Sequence, residues 1–243
     1  MKIKTSILTF VVILFLTGCK NDSSENYKPE YITKYKLTIP EPSDLAMDID
    51  GKALWTVSDS NSTVYKISFD GTVLKSFKIE GLDLEGITQI DNNKLAVILE
   101  RDRTVVIIDT NGAELNRIKI RKDGEPNLGF EGITFNSDNK HLYLINEKDP
   151  GLLIELDENY NVINEIELNF AEDYSGINYD SEKNGFLIIS DESCLYAECD
   201  INGKMLNSFS FKFTQIEGVA VDKINKLIYL VSDPLEELYV LKY

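Results

Sequence analysis

Leu84-Glu85-Gly86-Ile87-Thr88-Gln89-Ile90-Asp91-Asn92-Asn93-Lys94-Leu95-Ala96-Val97-Ile98-Leu99 reads as two short strands about a polar turn. Glu85 stands at the mouth of the first strand, and the second, Leu95 to Leu99, is apolar on both faces, as a buried strand should be. A third strand follows at Val105 to Asp109, and a fourth at Glu114 to Ile120 alternates apolar with polar, as a half-exposed outer edge does. The pattern recurs five times, anchored on Asp44, Glu85, Glu131, Ser175 and Glu217 at spacings of 41, 46, 44 and 42. A period of about 42 residues holding four short strands is the signature of a β-propeller blade, because one such sheet cannot bury both faces alone.

The fifth repeat stops at Tyr243 after three strands. The missing fourth has a donor in Tyr31 to Ile39, which leads into the first anchor as Ile79 leads into Glu85. Closure by the chain's own beginning removes an edge that would otherwise invite aggregation. The fold expected is therefore all-β, a five-bladed propeller of four-stranded antiparallel blades closed by the N-terminal strand, with six blades as the alternative.

Residues 31–243 form the single propeller domain in this reading. Ahead of it, Lys2 and Lys4 precede an apolar run from Ile7 to Leu16 that is short for a membrane span and ends in Leu16-Thr17-Gly18-Cys19. Residues 1–18 resemble a bacterial lipoprotein signal peptide, which implies cleavage before Cys19 and lipid on its thiol. Residues 19–30 then hold the lipidated cysteine and a polar tether, so the domain would be anchored outside the cytoplasm in the cell envelope. The non-Asp residue after Cys19 points to the outer membrane.

Without Lys2 and Lys4 the 25 basic residues fall to 23 against 41 acidic ones, a formal net of −18. Such a surface repels phosphate backbones and excludes nucleic acid as a partner. It also disfavours adsorption to an anionic membrane, leaving the anchoring to the lipid on Cys19. Cys194 and Cys199 are too far apart along one strand for a disulfide and read as small core residues.

The acids fall in register with the repeat. First and second strands of a blade form an antiparallel hairpin, so the start of one and the end of the other lie together. The strand-start set is Asp44, Glu85, Glu131, Ser175 and Glu217, and the strand-end set is Asp59, Glu100, Glu147, Asp191 and Asp233. Nine of these ten are carboxylates. Crowded at the mouth of a central channel, such anions either raise their pKa values or recruit a cation. Oxygen ligands without His or Cys favour a hard ion, and loose geometry favours Ca2+. The metal ligands expected are Asp44, Glu85, Glu131 and Glu217, with Asp59, Glu100, Glu147, Asp191 and Asp233 as a second acidic tier. A structural role stands beside this one: such carboxylates also accept hydrogen bonds from loop amides, and Arg101, Arg103 and Lys148 are placed to neutralise part of the ring.

The succession Glu41-Pro42-Ser43-Asp44-Leu45, Leu84-Glu85-Gly86-Ile87, Phe130-Glu131-Gly132-Ile133, Tyr174-Ser175-Gly176-Ile177 and Ile216-Glu217-Gly218-Val219 resembles the SdiA-regulated domain family of bacterial propellers. That resemblance implies an NHL-like, envelope-associated propeller with no established reaction. It implies a more distant similarity to gluconolactonase and paraoxonase propellers, whose channel-facing acids hold calcium. His141 is the only histidine and opens a second strand at the end away from the acids, so neither a histidine pair nor a Ser-His-Asp arrangement is available. Two functions remain. One is a non-catalytic propeller binding a ligand or protein partner at a calcium-ordered acidic face. The other is a metal-dependent hydrolase of small esters or lactones, needing only a carboxylate base beside the ion. The connection from Ile120 to Glu131, carrying Arg121, Lys122 and Asp123, is the longest on this face and a candidate recognition loop.

Overall fold

Apolar runs of five or six residues, broken by turns of Asp, Asn and Gly, fold back on themselves as antiparallel meanders. In the computed structural model, whose described residues are 28–120, 129–213 and 215–243, they make twenty strands and no helix. The opening strand is β1 (Glu30–Lys36). Blade 1 holds β2 (Pro42–Met47), β3 (Leu54–Ser58), β4 (Thr63–Ile67) and β5 (Val73–Lys78). Blade 2 holds β6 (Leu84–Asp91), β7 (Lys94–Leu99), β8 (Thr104–Asp109) and β9 (Glu114–Lys119). Blade 3 holds β10 (Phe130–Phe135), β11 (Leu142–Asn146), β12 (Leu152–Leu156) and β13 (Val162–Glu167). Blade 4 holds β14 (Gly176–Asp180), β15 (Gly185–Ser190), β16 (Leu195–Asp200) and β17 (Met205–Ser210). Blade 5 holds β18 (Ile216–Asp222), β19 (Leu227–Ser232) and β20 (Glu237–Lys242), with β1 as its outer strand.

The number of blades is thus five, and the ring closes through β1 pairing with β20, as the sequence implies. Five apolar cores lie one between each pair of neighbouring blades. Leu84, Ile87 and Leu95 of blade 2 meet Trp55, Val57 and Val64 of blade 1, for example. Each fully buried Leu or Ile contributes about 1.5–3 kcal/mol, so blade stacking supplies the stability that single sheets lack. The outer strands are exposed on alternate residues, as in Val73–Lys78.

Around the axis the inner strands approach one another closely. A Cβ on Gly218 would lie 2.5 Å from the Asp44 Cα, so blade 5 closes on blade 1 only with glycine at that position. Cys199 is buried in the core between blades 3 and 4 as expected, whereas Cys194 is exposed in the turn ahead of β16, where φ is +48° and the backbone turns away from the core. Residues 1–18, Cys19 with most of the tether, and the loop of Arg121 and Lys122 lie outside the described residues.

Candidate functional site

Strand register decides which side chains face the axis. Three of the inner strands begin with a β-bulge, and the extra residue is a glutamate: Glu85 between Leu84 and Gly86, Glu131 between Phe130 and Gly132, and Glu217 between Ile216 and Gly218. A bulge of this kind turns one side chain out of the sheet. Ser175, immediately before Gly176, holds the same position in blade 4. In blade 1, Leu45 faces Thr56 and Pro42 faces Ser58, which aligns Ser43, not Asp44, with the glutamates. Asp44 takes the position that glycine has in the other blades.

That one-residue offset changes the role of Asp44. Its carboxylate is wholly buried, accepts the Leu45 N–H at 2.7 Å and reaches across to accept the Ile87 N–H of blade 2 at 2.8 Å. It ties two blades together beneath the channel mouth and does not line it. Burial raises its pKa well above the ordinary carboxyl value, against the lowering effect of the two amides.

The other expected acids come together. A basin of about 260 Å3 at the channel mouth is lined by Glu85, Glu131, Glu217 and the whole strand-end set Asp59, Glu100, Glu147, Asp191 and Asp233, with Ser43 and Ser175. The strand-end carboxylates are held there by tight turns: the N–H of Arg103 bonds the Glu100 carbonyl at 2.8 Å, and that of Glu236 the Asp233 carbonyl at 2.9 Å. Glu100 also accepts the Gly129 N–H at 2.9 Å.

Asp173 and Glu192 line the basin too, and Asp83 lies at its rim. Asp83 and Asp173 stand two residues before Glu85 and Ser175, where blade 1 has Glu41 and blades 3 and 5 have Gly129 and Gln215, so an alignment that places Ser43 with the glutamates brings them into register; Glu192 has no acidic counterpart in the other blades. Asp173 accepts hydrogen bonds from the Ser190 hydroxyl and the Glu192 N–H.

Crowding and desolvation act in the same direction on this ring. Burial first, then the carboxylates of Asp191 and Asp233, push Glu217 up to about 8. Burial and Asp83 push Glu100 up to about 7 and Asp59 to about 6. Glu85 and Glu131 are raised well above the ordinary range by burial and then by their acidic neighbours. Among the described residues, basic groups answer only part of this charge. Arg101 Nε lies 2.5 Å from Asp83 Oδ2, and Lys148 Nζ lies 2.8 Å from Glu147 and 3.0 Å from Glu192. Arg103 is buried, bonds Asn146 Oδ1 at 2.9 Å and lies over the Phe130 ring.

Two trios are compact enough to share an ion each. Asp59, Asp83 and Glu85 each bring an oxygen within 4.8 Å of the others, and so do Glu100, Glu131 and Glu147. All six donors are carboxylates, the set that suits Ca2+ or Mg2+ rather than zinc. His141 stands at the other end of blade 3, with Nδ1 2.7 Å from Glu155 Oε1, which also accepts the Tyr143 hydroxyl at 2.6 Å.

A family model described as SdiA-regulated matches residues 24–242, nearly the whole chain. Among solved structures, the chain is similar to a Myxococcus xanthus glutaminyl cyclase at 10% identity and a TM-score of 0.70, over 88% of this chain and 95% of that one. It is similar to a catalytically inactive virginiamycin B lyase from Staphylococcus aureus, solved with quinupristin, at 12% identity and a TM-score of 0.57, over 83% and 80%. A luciferin-regenerating enzyme matches at 14% identity and a TM-score of 0.58, over 89% and 96%. At such identities the likeness is one of fold.

Proposed function

The chain belongs to the SdiA-regulated family of β-propellers, and from that membership we propose a divalent-cation-dependent binding protein of the cell envelope, whose acidic basin takes a ligand or protein partner. The observation that carries this reading is the pair of carboxylate trios within a ring of like charges. So many desolvated anions are stable together only when protonated or when a cation is shared among them. Asp59, Asp83 and Glu85 would hold one Ca2+, and Glu100, Glu131 and Glu147 a second. A bound ion supplies a positive site to which a ligand's oxygen atoms can be drawn. Ser43 and Ser175 add neutral hydrogen-bonding groups at the two positions where the ring lacks a glutamate. The lipid on Cys19 would keep the protein at the outer membrane.

A second reading is a metal-dependent hydrolase of small esters or lactones. It draws on Glu217, whose pKa of about 8 suits a proton donor at neutral pH, and on the enzymes among the solved structures of the same fold. In that reading Glu217 would hold the proton delivered to the leaving oxygen while Ser175 orients the substrate.

Calorimetric titration of metal-stripped protein with CaCl2, alongside Glu131→Gln, tests the first reading. Heat and a higher melting temperature are expected for the wild type, and both should be weakened in the variant. No heat and no melting shift would refute it. A panel of lactones and aryl esters, with and without EDTA, tests the second, which requires metal-dependent turnover lost in Glu217→Gln.

A further inference from the structure

The end of the ring opposite the basin carries a repeat of its own. Every outer strand begins with a bulge, and the residue displaced from the ladder is aliphatic in all five blades: Leu74, Leu115, Ile163, Leu206 and Ile32. Their exposure runs from 49% at Ile32 to 66% at Leu206. Single exposed aliphatics are ordinary. The same aliphatic class at one equivalent position of every blade is not, since water alone would leave a displaced edge residue polar. The turns after β2 and β18, at the same end, add Ile49 at 54% and Ile224 at 86%.

The chain enters the fold at this end as well. Glu30 pairs with Lys242, Lys242 with Leu227, and Leu227 with Asp222, a row across blade 5 at the far end of β18 from Glu217. Cys19 stands nine residues before Lys28, within about 30 Å of it at full extension. Around the basin the acids outnumber their basic partners among the described residues, and at the aliphatic end Asp48 pairs with Lys66 at 2.9 Å, Asp180 with Lys223 at 2.8 Å and Asp91 with Lys94 at 3.5 Å. Ionised carboxylates also stand at this end, at Asp70, Asp109 and Asp157 in the turns ahead of β5, β9 and β13, so docking here draws on the aliphatic ring and the entry of the chain rather than on charge.

We propose that this end docks on a lipid bilayer, with the five bulge residues, Ile49 and Ile224 at headgroup depth, so that the acidic basin faces away from the membrane. The tether's contribution rests on the envelope reading above, while the docking surface stands on its own residues. Aliphatic side chains presented in a plane bind the headgroup boundary in proportion to the apolar area buried.

Full-length lipidated protein in phosphatidylethanolamine/phosphatidylglycerol vesicles tests it. In a Cys194→Ser background, single labelling sites are made by Leu206→Cys, Ile224→Cys and, beside the basin, Ser60→Cys; Cys199 is buried and does not compete. Lipids with brominated chains are expected to quench an environment-sensitive fluorophore at 206 and 224 at least threefold more than at 60. Equal quenching at the three sites would overturn the proposal. Peptide mass spectrometry reports acylation of Cys19 separately. If no acyl group is found, the protein is added to the vesicles from solution with Cys19→Ser: preferential quenching at 206 and 224 then supports docking and removes only the lipid anchor, and its absence overturns docking. Leu206→Asp with Ile163→Asp should reduce the quenching at 224 at least fivefold without lowering the melting temperature.

Discussion

Raising the pH on metal-stripped protein loads the buried carboxyls of the basin, Glu85, Glu131 and Glu217 among them, and Glu217 supplies a magnitude. Its carboxyl is displaced from the ordinary 4.5 to about 8, chiefly by burial and then by Asp191 and Asp233. In the folded state the group therefore keeps its proton up to about pH 8, while in the unfolded chain it ionises near 4.5. The folded state binds the extra proton throughout that window, so stability is full below pH 4.5 and is lost as pH rises to 8. At about 1.4 kcal/mol per pH unit the ceiling is about 5 kcal/mol, or about 10 °C in melting temperature for a domain of this size. Glu100, pushed to about 7, and Asp59, to about 6, act in the same direction over lower ranges. Differential scanning calorimetry in EDTA from pH 5 to 8 should show this fall, saturating Ca2+ should remove the share due to Asp59, Glu85, Glu100 and Glu131, and Glu217→Gln should lessen the slope across the range. A melting temperature in EDTA that stays constant across the range would refute the electrostatic account of the basin.

Asp44→Asn removes one of two buried acceptors for the Leu45 and Ile87 amides and is expected to cost about 1–3 kcal/mol, read as a lower midpoint in urea; an unchanged midpoint would mean the carboxylate does not join blades 1 and 2. Gly218→Ala forces a methyl group to within 2.5 Å of the Asp44 Cα and should destabilise by at least about 1–3 kcal/mol; circular-dichroism melting checks it, and a wild-type value would show that the seam yields freely. Deleting the chain through Lys36 strips β20 of its partner and should produce oligomers on size-exclusion chromatography, where a clean monomer would contradict closure by β1.

Much of this was legible in the sequence because a propeller repeats its grammar. The blade number, the closing strand and eight of the ten carboxylates that line the basin follow from period and hairpin geometry alone. Taking acidity as the repeating feature misaligns Asp44, because glycine follows the anchor in the other four repeats: Gly86, Gly132, Gly176 and Gly218. Aligning on glycine places Ser43 in the ring, as Ser175 is in blade 4. The same shift puts Glu41, Asp83 and Asp173 in one register two residues before the ring position, whereas Glu192 follows a strand end where the other blades have Ser60, Arg101, Lys148 and Pro234. The ring of bulge residues is not legible in the sequence, because Leu74 and its counterparts look like ordinary members of alternating strands. Only the ladder register shows them displaced.

The departures from five-fold symmetry matter more for binding than the symmetry itself. Five equal carboxylates around an axis would offer an ion one central position and a ligand no preferred orientation. Serine at positions 43 and 175 breaks that equivalence, and the compact trios fall across blades 1 and 2 and blades 2 and 3. Positive charge bound there would be off-axis, on the side of blade 2. Across the basin, Ser175, Asp191 and Glu217 would be left with their own oxygens and, at neutral pH, the Glu217 proton. A ligand fitted to both sides needs anionic or carbonyl oxygens at one end and hydrogen-bond acceptors or cationic groups at the other. With ions so placed, the basin would select polarity along a ligand as well as its charge, a discrimination that a uniformly acidic ring cannot make.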